Sequence, residues 1–408
     1  MTARTHAAEV SPAGSPWRGL VQGRLGALRE GHLTVREAGG AADFGRPAAD
    51  GLSAELTVQH PRFWRRVALG GSLGAAEAYL DGDWETPDLT AVVRLLARNA
   101  DTLEALEGGL ARLRQPVEAL LHALRRNTRA GSRRNISAHY DLGDDFFERM
   151  LDPTLTYSCG IFERPESTLE EASLAKIDRL CRMLRLGPDD HLLEIGSGWG
   201  AFAIRAARTT GCRVTTTTIS RNQLQAVRRR VAEAGLQDRI TVLHADYRDL
   251  AGQYDKLVSV EMLEAVGADY YQPFFRACGS LLRDQGLAAI QVITIADRFY
   301  PGHLRSPDFI KRYVFPGSNI PSLSALLDAA ARASDLTLRH MEDIGPHYAR
   351  TLAAWRHNLA ASPAPAPRYA DRRFQRVWHY YLCYCEAAFA ERYLGDAQLL
   401  FARPGART

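Results

Sequence analysis

The sequence predicts an α/β protein: a mainly parallel sheet with helices on both faces, preceded by a smaller mixed α/β domain. Three observations carry this. β-like runs (HLLEIG, CRVTTTTIS, ITVLHAD, YDKLVSVEML, GLAAIQVITI) alternate with helical ones (AFAIRAARTT, RNQLQAVRRRVAEAG, YYQPFFRACGSLL), the order that builds a parallel sheet covered on both faces. HLLEIGSGWGAF reads as a strand entering a Gly-rich turn that opens a helix. The chain's 408 residues exceed what one such module uses and leave room for a second domain.

Taken in order, residues 1–20 are rich in Ala, Ser, Pro and Gly and are expected to be a disordered tail. Residues 21–111 form the smaller domain. LTVREAGG is β-like, ELTVQHPRFWRRVALGGSLGAAEAYLDGDWETPDL follows in a mixed pattern, and LTAVVRLLARNADTLEALEGGLARL carries apolar residues at helical spacing. Residues 112–135 read as a basic linker: Arg112, Arg114, Arg125, Arg126, Arg129, Arg133 and Arg134 face a single acid, Glu118. Residues 136–408 are expected to be the catalytic domain. There STLEEASLAKIDRLCRMLRLGP is an amphipathic helix with a capping box, Ser167 with Glu170 or Thr168 with Glu171, and Gly187-Pro188 as its stop. The tail from Ser322 reads as mostly helical, broken by ASPAPAPRY.

Composition narrows the functional classes. Hydrophobic residues make up 46% and charged residues 24%, which argues against disorder. The net charge of +4 is too balanced to announce nucleic acid, and no base-reading or stacking element stands out. No apolar run reaches the ~18 residues of a membrane span, so any membrane role is peripheral. The N-terminus lacks the apolar stretch of a signal peptide, and six cysteines without framework spacing fit a reducing cytoplasm. The twelve histidines form no metal pattern.

The Gly-rich turn holds Gly196, Gly198 and Gly200. Such glycines let a ligand approach the backbone at the carboxyl end of the first strand. Dinucleotide sites usually place an acid at the end of the second strand. Here that strand ends in Thr217, Thr218, Ile219 and Ser220, with Gln223 following, and an acid comes only after the third strand, as Asp246-Tyr247. This pattern suits S-adenosylmethionine better than NAD. The competing reading is an α/β domain that binds no nucleotide.

HYDLGDDFFERMLDPTLTYSCGIF, LLEIGSGWG, TISRNQ, DYRDL, EMLEAVG and RYVFPG together resemble the cyclopropane-fatty-acyl-phospholipid synthase family. The likeness runs from about Leu52 to Pro404, because HPRFWRRVALGGSLGAAEAYLDGDW is similar to the N-terminal domain of the bacterial synthases. The resemblance implies a class I methyltransferase fold, Rossmann-like, and methyl transfer from S-adenosylmethionine to a cis double bond of an unsaturated phospholipid acyl chain. Methylation of an alkene leaves a carbocation, which calls for a dry, aromatic-lined pocket. Tyr140, Tyr300, Tyr313 and Phe315 are candidate lining residues and equally candidate core aromatics.

By resemblance, a bound bicarbonate removes the last proton, held by Cys159, Glu264, the backbone of Ile293, and Tyr348. Without the family, Glu264 reads as a helix-start acid and Cys159 as a buried thiol. Gln291 stands where enterobacterial relatives have a histidine among the bicarbonate ligands, which leaves the product open between a cyclopropane and a methylene- or methyl-branched chain. The resemblance also puts Tyr157 and Ser158 at the border of the cofactor and Gly196, Ser197, Gly198 and Gly200 beneath its methionine moiety. Thr218, Ile219 and Gln223 fall to the ribose, and Asp246 and Tyr247 to the adenine. Glu194 and Ser197 replace the family's frequent Asp and Cys. Cys385 is either a pocket residue or plain packing.

The expected partners are unsaturated phospholipid and an anionic membrane surface at the inner face of the membrane, with a homodimer left open. Residues 21–111 are expected to make the membrane contact, with Phe63 and Trp64 among Arg62, Arg65 and Arg66 as an interfacial pairing. A non-catalytic lipid-binding protein is the alternative of a different class.

Overall fold

The computed structural model describes residues 15–100, 143–305, 308–362 and 369–407. The expected basic linker, 112–135, and Tyr140 lie outside them. The described residues fall into two units, one of residues 15–100 with 369–387 and one built from 143–362 and 388–407.

The first unit holds β1 (Gly31–Glu37), β2 (Gly40–Arg46), β3 (Ser53–Val58) and β4 (Trp84–Glu85) in the order β2-β1-β3-β4. β1 and β2 are an antiparallel hairpin, while β1 and β3 run parallel. The helix Pro16–Leu25 starts inside the expected disordered tail, with Pro16 at a first-turn position where its missing N–H costs nothing. The tail expectation therefore fails from Pro16 onward.

The helix Arg62–Leu80 corrects the interfacial reading of HPRFWRRV. Phe63 is 5% and Trp64 0% exposed, packed edge to face at 5.0 Å, and the Trp64 indole N–H donates to Glu37 at 3.2 Å. At 3.6 residues per turn, positions 63, 64, 67 and 68 share the inward face, so the arginines between them point outward. Arg62 pairs with the fully buried Asp83 at 2.6 Å and Arg66 with Asp81 at 2.7 Å. The aromatics are core.

Residues 369–387 join this unit, where the sequence assigned the whole tail to the catalytic domain. Arg376 donates to Glu85 at 2.7 Å and to the Tyr79 carbonyl at 2.6 Å, and its guanidinium lies 3.9 Å from the Tyr79 ring centre. His379 Nδ1 sits 2.9 Å from the Tyr79 hydroxyl.

The second unit is a sheet of β5 (His191–Ile195), β6 (Arg213–Thr218), β7 (Ile240–His244), β8 (Tyr254–Val260), β9 (Leu282–Ile295), β10 (Thr337–Asp343) and β11 (Leu394–Ala402). The order is β10-β11-β9-β8-β5-β6-β7; β5 to β9 are parallel and β11 is antiparallel to both neighbours. The order reverses between β5 and β8, the place where such sheets open a crevice at their carboxyl ends. β10 and β11 correct the helical reading of the tail.

Central β6 shows how a threonine run serves as a buried strand. Val214 through Thr218 are all buried. β-branching suits the pleat, and each hydroxyl is matched: Thr215 to His191, Thr216 to Glu194, Thr217 to the Ala245 carbonyl, and Thr218 to Gln223. The helix Leu169–Leu184 is capped by the Thr168 and Glu171 box and ends at left-handed Arg185, two residues before Gly187-Pro188. It packs Ile177, Leu180 and Leu184 with Leu192 and Val258 in the core.

Candidate active site

The residues read for the cofactor gather at the carboxyl ends of β5, β6 and β7. Gly196, Gly198 and Gly200 have φ of 99°, 49° and 89°, the left-handed region that glycine enters freely. The N–H groups of Gly196 and Ser197 both donate to the Thr217 carbonyl, at 3.1 and 2.9 Å, which folds the turn over β6. A Cβ at Gly196 would meet the Met262 side chain at 3.3 Å, whereas one at Gly198 would enter open space. That open cradle fits the methionine part of S-adenosylmethionine.

The Thr218 hydroxyl donates to the Gln223 amide oxygen at 2.9 Å, fixing both polar groups at the end of β6. The Ile219 carbonyl lies 3.2 Å from His244 Nε2. Asp246 is 3% exposed and held by Arg248 through both carboxylate oxygens, at 2.8 and 2.6 Å, so it anchors a loop as well as facing the third strand's end. The Tyr247 ring is buried, and its hydroxyl has no hydrogen-bond partner.

Tyr157, Ser158 and Cys159 follow the helix Asp144–Met150. Arg230 fastens this segment to the Gly-rich turn by donating to the carbonyls of Thr154 and Trp199 at 2.9 and 2.8 Å. An aromatic wall runs on from Tyr157: Phe147 at 5.4 Å, Trp355 at 5.1 Å, then Tyr348 6.1 Å from Trp355 and Phe389 stacked on Tyr348 at 4.3 Å. Sequence reasoning offered Tyr300, Tyr313 and Phe315 as lining or core aromatics. Tyr313 packs on Phe309 at 5.2 Å, and Tyr300 lies beside Tyr271 and Asn319.

Beside the wall lies a carboxylate cluster. Glu264 follows β8, accepts the Ile293 N–H on Oε1, and leaves Oε2 buried without a partner. Its pKa is pushed up to about 8, first by burial and then by the charge of Glu261. Asp396 on β11 is fully buried and raised well above the usual carboxylate range by the same two causes. Gln291 on β9 spends its amide hydrogens on Glu261 at 2.8 Å and Asp396 at 3.0 Å, and its oxygen accepts from Gln398 at 3.0 Å. Burial also raises the Cys159 thiol and lowers the Lys176 ammonium, which donates to Ser158 Oγ at 2.8 Å.

The structure thus brings together Cys159, Glu264, Gln291, Ile293 and Tyr348. Cys385 belongs to the first unit and is not part of this cluster. Sequence reasoning missed Glu261, Asp396, Lys176 and Gln398. Glu261 had a signal, a second acid in EMLE; Asp396 had none, because β11 did not read as a strand.

The donors assigned to bicarbonate are already engaged inside the protein. The Cys159 N–H donates to Glu261 at 2.9 Å, the Tyr348 hydroxyl to Glu261 at 2.5 Å, the Gln291 amide to Glu261 and Asp396, and the Ile293 N–H to Glu264. Glu261 thus takes up three of the groups that the resemblance gives to bicarbonate, and the buried Glu264 Oε2 is the one group of that set left without a partner. With Glu261 in place, that set does not fit a second anion beside it.

A doubly wound sheet with an antiparallel β11 and a glycine cradle at its switch point defines a class I S-adenosylmethionine-dependent methyltransferase. Residues 127–399 match the family described as mycolic acid cyclopropane synthetase, and the chain belongs to that family of enzymes acting on lipid acyl chains. It is 36% identical over 367 residues to the tuberculostearic acid methyltransferase UfaA1 of Mycobacterium tuberculosis, covering 88% of this chain and 85% of the relative. Identity is 34% over 353 residues to the cyclopropane-fatty-acyl-phospholipid synthase of Escherichia coli K12, covering 86% and 88%. The crystal structure of mycolic acid cyclopropane synthase CmaA1 complexed with SAH and CTAB superposes with a TM-score of 0.60 at 32% identity, over 66% of this chain and 98% of that one.

Proposed function

We propose that the protein transfers the methyl group of S-adenosylmethionine to one carbon of a cis double bond in an unsaturated phospholipid acyl chain, and that the resulting cation closes to a cyclopropane. The observation that carries this reading is the aromatic wall from the half-buried Tyr157 to the buried Phe389, which meets the carboxylate cluster at Tyr348. Bound over the glycine cradle, S-adenosylmethionine supplies an electrophilic methyl group. An alkene has no proton to lose before attack, so the first step needs positioning rather than a base. Ring faces of Tyr157, Trp355 and Tyr348 then stabilise positive charge, and the burial of Trp355 and Tyr348 excludes the water that would quench it.

A second reading, a methylene- or methyl-branched acyl product, is supported by the likeness to the tuberculostearic acid methyltransferase, which this chain resembles over most of its length. A hydride shift before proton loss from the new methyl group gives the methylene chain, and a saturated methyl branch requires in addition a two-electron reduction by a separate reductant. The seven arginines of segment 112–134 support a peripheral contact with anionic lipid.

The test incubates pure full-length protein with labelled S-adenosylmethionine and unsaturated phospholipid vesicles, anionic or zwitterionic, and analyses the acyl chains. Mild hydrogenation leaves a cyclopropane chain unchanged and adds two hydrogens to a methylene chain. An unmodified lipid pool would overturn both readings.

A further inference from the structure

Glu261 closes β8 with φ of 47°, a left-handed conformation that favours glycine. Strain of this kind persists where the surroundings over-determine it, and it concentrates at functional sites. The surroundings here are three donors. The carboxylate of Glu261 accepts from the Cys159 N–H at 2.9 Å and the Gln291 amide at 2.8 Å on Oε1, and from the Tyr348 hydroxyl at 2.5 Å on Oε2. These are three of the groups that the family resemblance gives to bicarbonate. Met262, the next residue, contacts the position of a Gly196 Cβ, so Glu261 lies one residue from the wall of the cofactor cradle. It is half-buried, while the unpartnered Glu264 Oε2 beside it is enclosed.

We propose that the Glu261 carboxylate takes the place of bicarbonate as the base that removes the final proton, so that turnover requires no bicarbonate. The inference rests on the acyl-methylation reading above. In the first step the alkene π pair forms a C–C bond to the methyl group as the C–S bond breaks, its electron pair remaining on sulfur. The adjacent carbon is left cationic. A C–H bond of the new methyl group then breaks, its electron pair closes the ring, and the proton goes to a Glu261 oxygen, from which it passes to solvent after product leaves. The three hydrogen bonds on Glu261 occupy lone pairs on both oxygens, which restrains the carboxylate from attacking the cofactor's methyl group itself. Burial biases Glu264 and Asp396 toward the neutral form, and Glu261 is the half-buried carboxylate of the three.

The experiment measures acyl product from full-length protein with vesicles and S-adenosylmethionine in carbon-dioxide-free buffer, with and without added bicarbonate. Wild-type turnover is expected to be the same in both. Glu261→Gln is expected to lose about 100-fold or more in kcat, the usual range for a lost general base, while retaining cofactor binding by calorimetry. Glu261→Gly, whose backbone is at ease at this φ, is expected to fold, to lose turnover, and to regain part of it with bicarbonate. Wild-type turnover that collapses without bicarbonate and returns with it would overturn the inference while leaving acyl methylation intact. Full activity of Glu261→Gln would overturn it as well. Wild-type protein that forms no acyl product in either buffer would sink the functional reading and this inference with it.

Discussion

Lys176 donates to Ser158 Oγ at 2.8 Å from a position only 2% exposed. One of only three lysines in the chain is thus buried beside the segment that carries Cys159. Its positive charge lowers the pKa of both Glu194 and Asp396, opposing the effect of burial. Lys176→Met is expected to destabilise the protein by about 1.5–3 kcal/mol, because it removes a charged hydrogen bond and leaves the buried Ser158 hydroxyl without it. Urea unfolding at neutral pH checks this. A variant as stable as wild type would show that this hydrogen bond does not hold the segment in place.

Stability should also fall as pH rises toward neutrality. Glu264 and Glu194 each have a folded pKa of about 8, raised from an ordinary 4.5 by burial. Between those values the native state holds protons that the unfolded state has released. The stabilisation is complete below the unfolded value and is lost as pH climbs through the folded one. The slope approaches about 1.4 kcal/mol per pH unit for each group. Glu264→Gln should flatten the curve between pH ~5 and ~8, as followed by denaturant midpoints; an unchanged slope would rule Glu264 out as a contributor.

The glycine cradle separates stability from binding. Gly198→Ala places its Cβ in open space, so the loss of stability should be only about 1 kcal/mol, from the positive φ. The same methyl group occupies the volume assigned to the cofactor, and the Kd for S-adenosylmethionine should rise about tenfold or more, a cost of about 1.4 kcal/mol. Gly196→Ala also presses on Met262 at 3.3 Å and should weaken both. Calorimetric titration beside thermal melting distinguishes the two variants.

Burial of Trp64 and Phe63 makes a direct spectroscopic prediction. Adding anionic vesicles should leave the Trp64 contribution to fluorescence unchanged, measured as the difference between wild type and Trp64→Phe. Asp83→Ala should destabilise the first unit by about 3 kcal/mol, since Arg62 and Arg66 both lose their buried partner. A vesicle-dependent shift of the Trp64 signal would restore the interfacial reading.

The strands β5 to β9 were legible because parallel strands buried on both faces read as apolar and β-branched runs with turns between them. The site residues Cys159, Glu264 and Tyr348 came through motif resemblance, and their assembly here agrees with that grouping. β11 was hidden because LGDAQLLFA carries Asp396 and Gln398, both fully buried and held by Gln291, a residue 105 positions away from Asp396. Local polarity masks a strand when its partners are distant. β10 lies at the sheet's edge and is largely exposed, so its polar residues gave no apolar alternation to read. Phe63 and Trp64 misled for a related reason: adjacent arginines suggested an interface, but helical period, not adjacency, decides which residues share a face.

The position of β11 also orders events during synthesis. Strands β5 to β9 and the glycine cradle are complete by Ile295, yet the Asp396 that holds Gln291 arrives with residues 394–402, and that strand must enter between β9 and β10. Until it does, β9 keeps an unpaired edge, and the polar cluster around Glu261 lacks its last member. A nascent chain therefore carries every residue of the glycine turn before the strand that completes the polar cluster has been made.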